Sequence, residues 1–311
     1  MEIIRYEYGK ALNISPSVIA LGFFDGVTVA HRRLMSAARA EARRRGIAFG
    51  VFTFYSDDPI KRGIDRIYST EEKLLLLERC EADFTVLAEF EELASLSPEE
   101  FVNKILLNDL GAECAAYGYN FRFGKGASGD ADLLTLLMKQ SGKDSITVTE
   151  LTDGGAPISS TLIRAALADK DIEKANRLLG TPYFIRGRVS GGNKKGRELG
   201  FPTVNTSIEA GRATPTGVFR SCVPIDGRLY HSVTNIGRCP TLGAREIHAE
   251  THILSYSGDL YERELEIYLL GFLREERSFD SVGELCRQIE EDKIRTVKEN
   301  GELSWQRLGL K

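Results

Sequence analysis

Up to about residue 180, apolar residues come in short runs separated by segments of helical period. VIALGFF (18–24), IAFGVFTF (47–54), DFTVLAEF (83–90), CAAYGY (114–119) and SITVTEL (145–151) read as buried strands bounded by polar or glycine-bearing turns. Between them, helices are expected over His31–Arg45, over 70–80 with Ser69 or Thr70 as cap, from Ser97 onward and over 130–140. Ser97-Pro98-Glu99-Glu100 is a capping box with proline at the first helical position. A single helix is expected over 161–179, preceded by Ser159 and Ser160 and closed by Gly180 and Pro182. Strand–helix alternation of this kind predicts an α/β parallel sheet with helices on both faces.

After residue 182 the pattern changes. FIRGRVS (184–190), GVFRSCVPI (217–225), LYHSVTNI (229–236), HAETHILSY (248–256) and LEIYLLGFL (265–273) are short β-branched and aromatic runs. Asp226-Gly227 and Gly258-Asp259 are turn signals between them. The expectation is a small antiparallel β-barrel closed by a C-terminal helix, with Ser281 as cap and Val282, Leu285 and Ile289 on one face. Two domains are therefore expected, 1–180 and 181–311, which suits a chain of 311 residues.

Composition narrows the function. With 41 basic and 45 acidic residues the chain has no nucleic-acid footprint. The run Arg43-Arg44-Arg45 ends a predicted helix, where cations suit the dipole. No apolar run of about 18 residues is present, so no membrane span is expected. The N-terminus MEIIRYEYGK lacks the pattern of a secretory signal. Five scattered cysteines without a C-x-x-C pair argue against a zinc ribbon or disulfide framework, and a reducing cytoplasm is expected.

Three segments carry candidate chemistry. Gly22-Phe23-Phe24-Asp25-Gly26-Val27-Thr28-Val29-Ala30-His31 lies where a strand should turn into a helix. Backbone N–H groups at such a turn suit phosphate. His31 and Thr28 could donate to phosphate oxygens. In Ile158-Ser159-Ser160-Thr161-Leu162-Ile163-Arg164, three hydroxyls open a helix and Arg164 follows one turn later, an arrangement suited to polyphosphate. In the C-terminal part, Gly191, Gly192 and Gly196 with Lys194, Lys195 and Arg197 form a basic glycine-rich loop for ATP phosphates. Thr203 and Asn205 then offer two hard oxygen ligands on one strand face, suited to Mg²⁺.

The first two segments resemble the nucleotidyltransferase superfamily, and in context the adenylyltransferase module of prokaryotic FAD synthetases. Gly118-Tyr119-Asn120-Phe121-Arg122-Phe123-Gly124-Lys125-Gly126 is similar to that module's loop lining the nucleotide and flavin site, and Val51-Phe52-Thr53-Phe54 to its second strand. The resemblance implies that Gly22, Phe23, Phe24, Asp25, Gly26, Thr28, His31, Asn120, Ser159, Ser160, Thr161 and Arg164 bind nucleotide, with His31 catalytic. The chain departs from the module's H-x-G-H, having Thr28-Val29-Ala30-His31, and from its P-H-P segment, having Tyr55-Ser56-Asp57-Asp58-Pro59.

Residues Gly187–Asn205 resemble the riboflavin kinase signature G-x-V-x-x-G-x-x-x-G-R-x-L-G-F-P-T-x-N. Pro215-Thr216-Gly217-Val218-Phe219, Asn235-Ile236-Gly237 with Pro240-Thr241, and Glu250-Thr251-His252-Ile253-Leu254 follow in the kinase order. The resemblance implies ATP binding by Gly191, Lys194, Lys195, Gly196, Thr203 and Asn205, Mg²⁺ on Thr203 and Asn205, and Glu250 as base for the riboflavin 5′-hydroxyl. Arg274 and Arg277 match a flap that helps cover the flavin. Riboflavin, FMN and ATP are thus the implied substrates, with no nucleic-acid or membrane partner. The implied activities are phosphorylation of riboflavin and adenylation of FMN. A kinase with a degenerate adenylyltransferase half is the alternative.

Overall fold

Six parallel strands form the N-terminal sheet: β1 (Glu2–Arg5), β2 (Ser17–Leu21), β3 (Ala48–Phe54), β4 (Phe84–Ala88), β5 (Ala112–Gly118) and β6 (Asp144–Val148). In the computed structural model the described residues are 1–10, 12, 14, 16–55, 63–191, 196, 199–238 and 247–310. The strand order is β1-β4-β3-β2-β5-β6. The chain thus steps from β2 to β3 and β4 on one side, then crosses to β5 and β6 on the other. This makes the carboxyl edge of β2 the topological switch point, where open α/β sheets bind ligands.

Helices α1 (Val29–Arg45), α2 (Thr70–Arg79), α3 (Phe90–Leu93), α4 (98–109) and α5 (Ala131–Gln140) connect these strands. On one face, Ile19 and Leu21 of β2 share a core with Phe101, Ile105 and Leu106 of α4 and Leu134 and Met138 of α5. Strand alternation turns Val18 and Ala20, equally buried, to the other face, and α1 packs against β2, β3 and β5. The capping box at Ser97 starts α4 as expected, but from Phe101 to Asp109 the helix has π geometry, with the Leu110 amide donating to the Ile105 carbonyl at 2.9 Å. Sequence periodicity carries no sign of this.

The helix expected over 161–179 is two helices, α6 (Ser160–Ala168) and α7 (Ile172–Leu179). Lys170 adopts φ 62°, and the Asp171 carboxylate accepts from the Lys174 amide at 3.1 Å, capping a new helix. A short hairpin of β7 (Thr152–Asp153) and β8 (Ala156–Pro157) precedes them.

Packing divides the chain into residues 1–62 with 68–159 and residues 63–67 with 160–311. The sequence places the boundary near 180; the two helices before it group with the barrel unit. Asn176 explains why. Its Nδ2 donates to the Leu269 carbonyl at 2.9 Å while its Oδ1 accepts from the Tyr183 amide at 2.7 Å, so α7 is tied to one barrel strand and to the residue that leads into another.

The second unit is a closed six-stranded barrel of β9 (Phe184–Ser190), β10 (Thr203–Ile208), β11 (Gly217–Ile225), β12 (Arg228–Arg238), β13 (Ile247–Ile253) and β14 (Glu264–Arg274), in the order β10-β13-β12-β11-β14-β9. All its pairings are antiparallel. Asp226 (φ 48°) and Gly227 (φ 79°) make the tight turn from β11 to β12, as expected from Asp-Gly. Inside the barrel, Ser221 bonds to the hydroxyls of Ser232 and Thr234, each at 2.7 Å, and Thr234 to Thr251 at 3.0 Å. These buried hydroxyls satisfy one another.

Helix α8 (Val282–Asn300) is capped by Ser281, whose Oγ accepts from the Glu284 amide at 3.2 Å, and packs on β11 and β12. Leu285 and Ile289 face the barrel's cavity as expected, but Val282 is 59% exposed.

Candidate active sites

In the first unit, residues 22–28 link β2 to α1 at the switch point. The Gly22 amide donates to the Phe52 carbonyl at 3.3 Å, which holds the loop against β3. Gly26 has φ 92°, open only to glycine, but Phe24 (φ 52°) and Val27 (φ 45°) are also left-handed. A β-branched residue in that region is strained by about 1–3 kcal/mol. Burial of Phe24, Asp25, Val27 and Thr28 holds this conformation in place.

Thr28 is the N-cap of α1. Its Oγ1 accepts from the His31 amide at 3.3 Å, and the His31 Nδ1 accepts from the Thr28 amide at 3.1 Å. Because a backbone N–H occupies Nδ1, the neutral ring carries its proton on Nε2. Burial lowers the His31 pKa to about 4, so the ring is neutral at physiological pH. The Phe24 and His31 rings meet edge to face, with centroids 5.2 Å apart. Asn120 follows β5, the other neighbour of β2, and is exposed in the turn closed by the Phe121 amide and Gly118 carbonyl at 3.0 Å. The loops 22–28 and 119–126 therefore leave the same edge of adjacent strands.

Ser159 belongs to the first unit, whereas Ser160, Thr161 and Arg164 belong to the second, where the Arg164 Nε donates to the Asp65 carbonyl at 2.7 Å. Residues 56–59, where the P-H-P segment is replaced, lie outside the described residues.

Lys73 of α2 was not singled out by sequence. It is buried, and its ammonium donates to the Phe54 carbonyl at 2.7 Å, with Thr53 Oγ1 at 3.4 Å and the Phe23 carbonyl at 3.5 Å. It also lies 5.3 Å from the centre of the Phe23 ring. Thr53 Oγ1 donates to the Phe23 carbonyl at 3.0 Å, so one buried cation and one hydroxyl clamp the loop to the end of β3. In sequence Lys73 is an ordinary helical lysine; only the fold turns it inward.

In the second unit, one row runs around the barrel: Ser190, Asn205, Glu250, Asn235, Val218 and Arg274 are successive cross-strand partners. The next row pairs Thr203 with His252 and His252 with Val233. Thr203, Glu250 and His252, together with Gly196, Asn235, Arg274, Glu276, Arg277 and Phe279, line a cavity of about 370 Å³. Asn205 flanks Glu250 directly on β10. His252 Nδ1 donates to the Pro202 carbonyl at 2.8 Å, and burial lowers its pKa. Gly191 follows β9, and the Gly196 carbonyl accepts from the Phe201 amide at 2.8 Å. Lys194, Lys195, Gly192, Arg197, Pro240 and Thr241 lie outside the described residues.

Arg274 and Arg277 both approach Phe279, with guanidinium carbons 5.7 and 4.8 Å from its ring centre. The buried Asp292 of α8 accepts from Arg274 Nε at 3.0 Å and pairs with its Nη2 at 2.9 Å. Gln288 accepts from Arg277 at 2.6 Å. The two arginines are thus held to α8 by partners that sequence reasoning did not identify.

Comparison with known proteins finds two family patterns along the chain. The riboflavin kinase pattern matches residues 179–299 and the FAD synthetase pattern residues 11–162. A bifunctional riboflavin kinase/FMN adenylyltransferase of Bacillus subtilis is 34% identical over 91% of this chain and 92% of its own. One from Escherichia coli K12 is 33% identical over 89% of this chain and 90% of its own. A crystal structure titled as a macrolide-efflux protein from Streptococcus pneumoniae superposes with a TM-score of 0.85 at 28% identity, covering 97% of this chain and 100% of that one. Among the described residues of this chain, no helix is long and apolar enough to cross a membrane. With both family patterns present, and relatives named as bifunctional enzymes matching over 89–92% of this chain and of their own, the chain belongs to the family of bifunctional riboflavin kinase/FMN adenylyltransferases.

Proposed function

We propose that the barrel unit transfers the γ-phosphoryl group of ATP to the riboflavin 5′-hydroxyl, and that the N-terminal part, residues 1–180 in the sequence division, transfers the adenylyl group of a second ATP to FMN. The products are FMN and ADP, then FAD and pyrophosphate. The observation that carries the first reaction is Glu250 and Asn235 side by side in the cavity wall, with Asn205 as the other cross-strand partner of Glu250. Glu250 takes the proton of the alcohol as the new P–O bond forms and the bond to ADP breaks. Phosphoryl transfer asks mainly for positioning and charge neutralisation, so one carboxylate within reach of the hydroxyl suffices.

Thr203 and Asn205 on one face of β10 are neutral oxygen donors, a set that fits Mg²⁺ shared with phosphates and water. When bound, the ion would neutralise charge on the transferred phosphoryl group. Gly191, Lys194, Lys195 and Gly196 hold the phosphates, and Arg274 and Arg277 cover the flavin.

In the adenylyltransferase, His31 Nε2–H donates to the α-phosphate, and Thr28, the first α1 amides and Gly22–Gly26 cradle the phosphates beside it. Asn120 and Ser159 supply further nucleotide contacts. With ATP as co-substrate, we assign the enzyme to the cytoplasm.

The test is incubation of the full chain with riboflavin, ATP and Mg²⁺, following FMN, FAD and pyrophosphate. FAD is expected. FMN alone would reduce the protein to a kinase, and no flavin nucleotide would overturn the reading. Thr203→Ala and Asn205→Ala should raise the Mg²⁺ requirement of FMN formation and leave adenylation of supplied FMN intact.

A further inference from the structure

Asn235 lines the kinase cavity directly opposite Glu250, on the neighbouring strand β12. Facing positions of this kind bring side chains within about 4.5–5.5 Å at Cβ. The Asn235 Nδ2 donates to Glu276 Oε1 at 2.9 Å. A carboxylate only accepts, so this bond sets the amide: NH₂ toward Glu276, carbonyl oxygen the other way. That oxygen is buried and receives no hydrogen bond from the described residues. Residue 237 is glycine, and a Cβ there would lie 2.3 Å from Glu276 Oε1, so the carboxylate in its present place uses the room that glycine leaves.

We propose that Asn235 Oδ1 accepts a hydrogen bond from a non-reacting hydroxyl of the ribityl chain, with Glu276 as the positioning residue that aims it. The inference rests on the kinase reading of this cavity. A buried carbonyl without a donor is costly, and the ligand held beside Glu250 is the part of riboflavin that carries hydroxyls. The ring system offers no hydroxyl. Asn235 therefore selects flavins with a polyol chain, while Glu250 acts on its terminal hydroxyl.

The test reads only the kinase site, through FMN formation by the full chain. It measures kcat/KM for riboflavin and inhibition constants for 5′-deoxyriboflavin, which keeps the non-reacting hydroxyls, and for lumiflavin, which has none. Asn235→Ala should lower kcat/KM for riboflavin about tenfold and weaken 5′-deoxyriboflavin by a similar factor, leaving lumiflavin and the KM for ATP unchanged. Glu276→Ala should reproduce the riboflavin-selective loss, and Glu276→Gln, whose amide oxygen can still accept from Asn235, should largely restore it. Equal weakening of all three flavins, or of none, overturns the inference. Turnover is measured first in the unsubstituted protein. Its absence sinks the kinase reading and this inference together, whereas turnover without a selective loss in Asn235→Ala sinks this inference alone.

Discussion

Thr28 and His31 cap each other across the first turn of α1: each side chain accepts from the other's backbone amide, at 3.3 and 3.1 Å. The family's usual first histidine is replaced by threonine here, and threonine is a strong N-cap. The departure therefore keeps α1 anchored and fixes the tautomer of the remaining histidine.

The pH dependence of adenylation follows from that geometry. Burial lowers the His31 pKa to about 4. A base with a depressed folded pKa contributes stability that is present above its unfolded value, about 6.5, and lost as pH falls toward the folded one. Between pH 8 and 6 the imidazole stays neutral, so FAD synthesis should show no His31-dependent step near 6.5. His31→Asn should lower FAD synthesis roughly 10²–10³-fold and leave FMN synthesis unchanged. A pH–rate profile of both proteins with supplied FMN decides this; an inflection near 6.5 that vanishes in His31→Asn would refute the neutral-donor role.

Thr28→Ala should cost about 1 kcal/mol by removing the cap, lowering the melting of the α/β unit by about 2–4 °C. FAD synthesis should fall too, since the hydroxyl that caps α1 also has a hydrogen to donate to phosphate. Thr28→Ser should restore both. Calorimetry with parallel FAD assays checks it, and an unchanged melting profile for Thr28→Ala would count against the cap.

Glu250→Gln keeps the row Asn205–Glu250–Asn235 nearly isosteric and removes only the base. FMN formation should drop at least about 10²-fold, with ATP affinity in the kinase and adenylation of supplied FMN preserved. Retention of more than about a tenth of the turnover would remove Glu250 from that role.

Lys73→Met should raise the KM for ATP in FAD synthesis about tenfold, because the carbonyls of Phe23 and Phe54 lose the ammonium that holds the loop. Lys73→Arg should not rescue it, since the planar guanidinium does not fit a site shaped around a compact cation. FMN synthesis serves as the internal control, and equal loss of both activities would mark Lys73 as a general stability residue.

Much of the architecture was readable in the chain because local physics carries it. Each named strand run forms a strand, Ser69, Ser97 and Ser281 cap helices, and Asp226-Gly227 makes a tight turn. Where the reading failed, a local pattern was ambiguous. The helical period over 161–179 continues across Asp169-Lys170-Asp171, and only the left-handed Lys170 breaks it. Val282 has the right period for burial but is exposed.

The site divides along the same line. Motif residues such as His31, Thr203 and Glu250 are legible because their chemistry requires particular side chains at particular spacings. Lys73, Asn235's orientation, Glu276 and Asp292 are not, because their importance comes from partners distant in the chain. Asn235 meets Glu250 through strand register and Glu276 through the chain that follows β14. Asp292 meets Arg274 only when α8 lies across the barrel. Side-chain type and spacing are local properties written in sequence order, whereas burial, amide orientation and ion pairing depend on which surfaces the fold brings within a few ångströms. Those contacts exist only once the sheet and the barrel have closed around them.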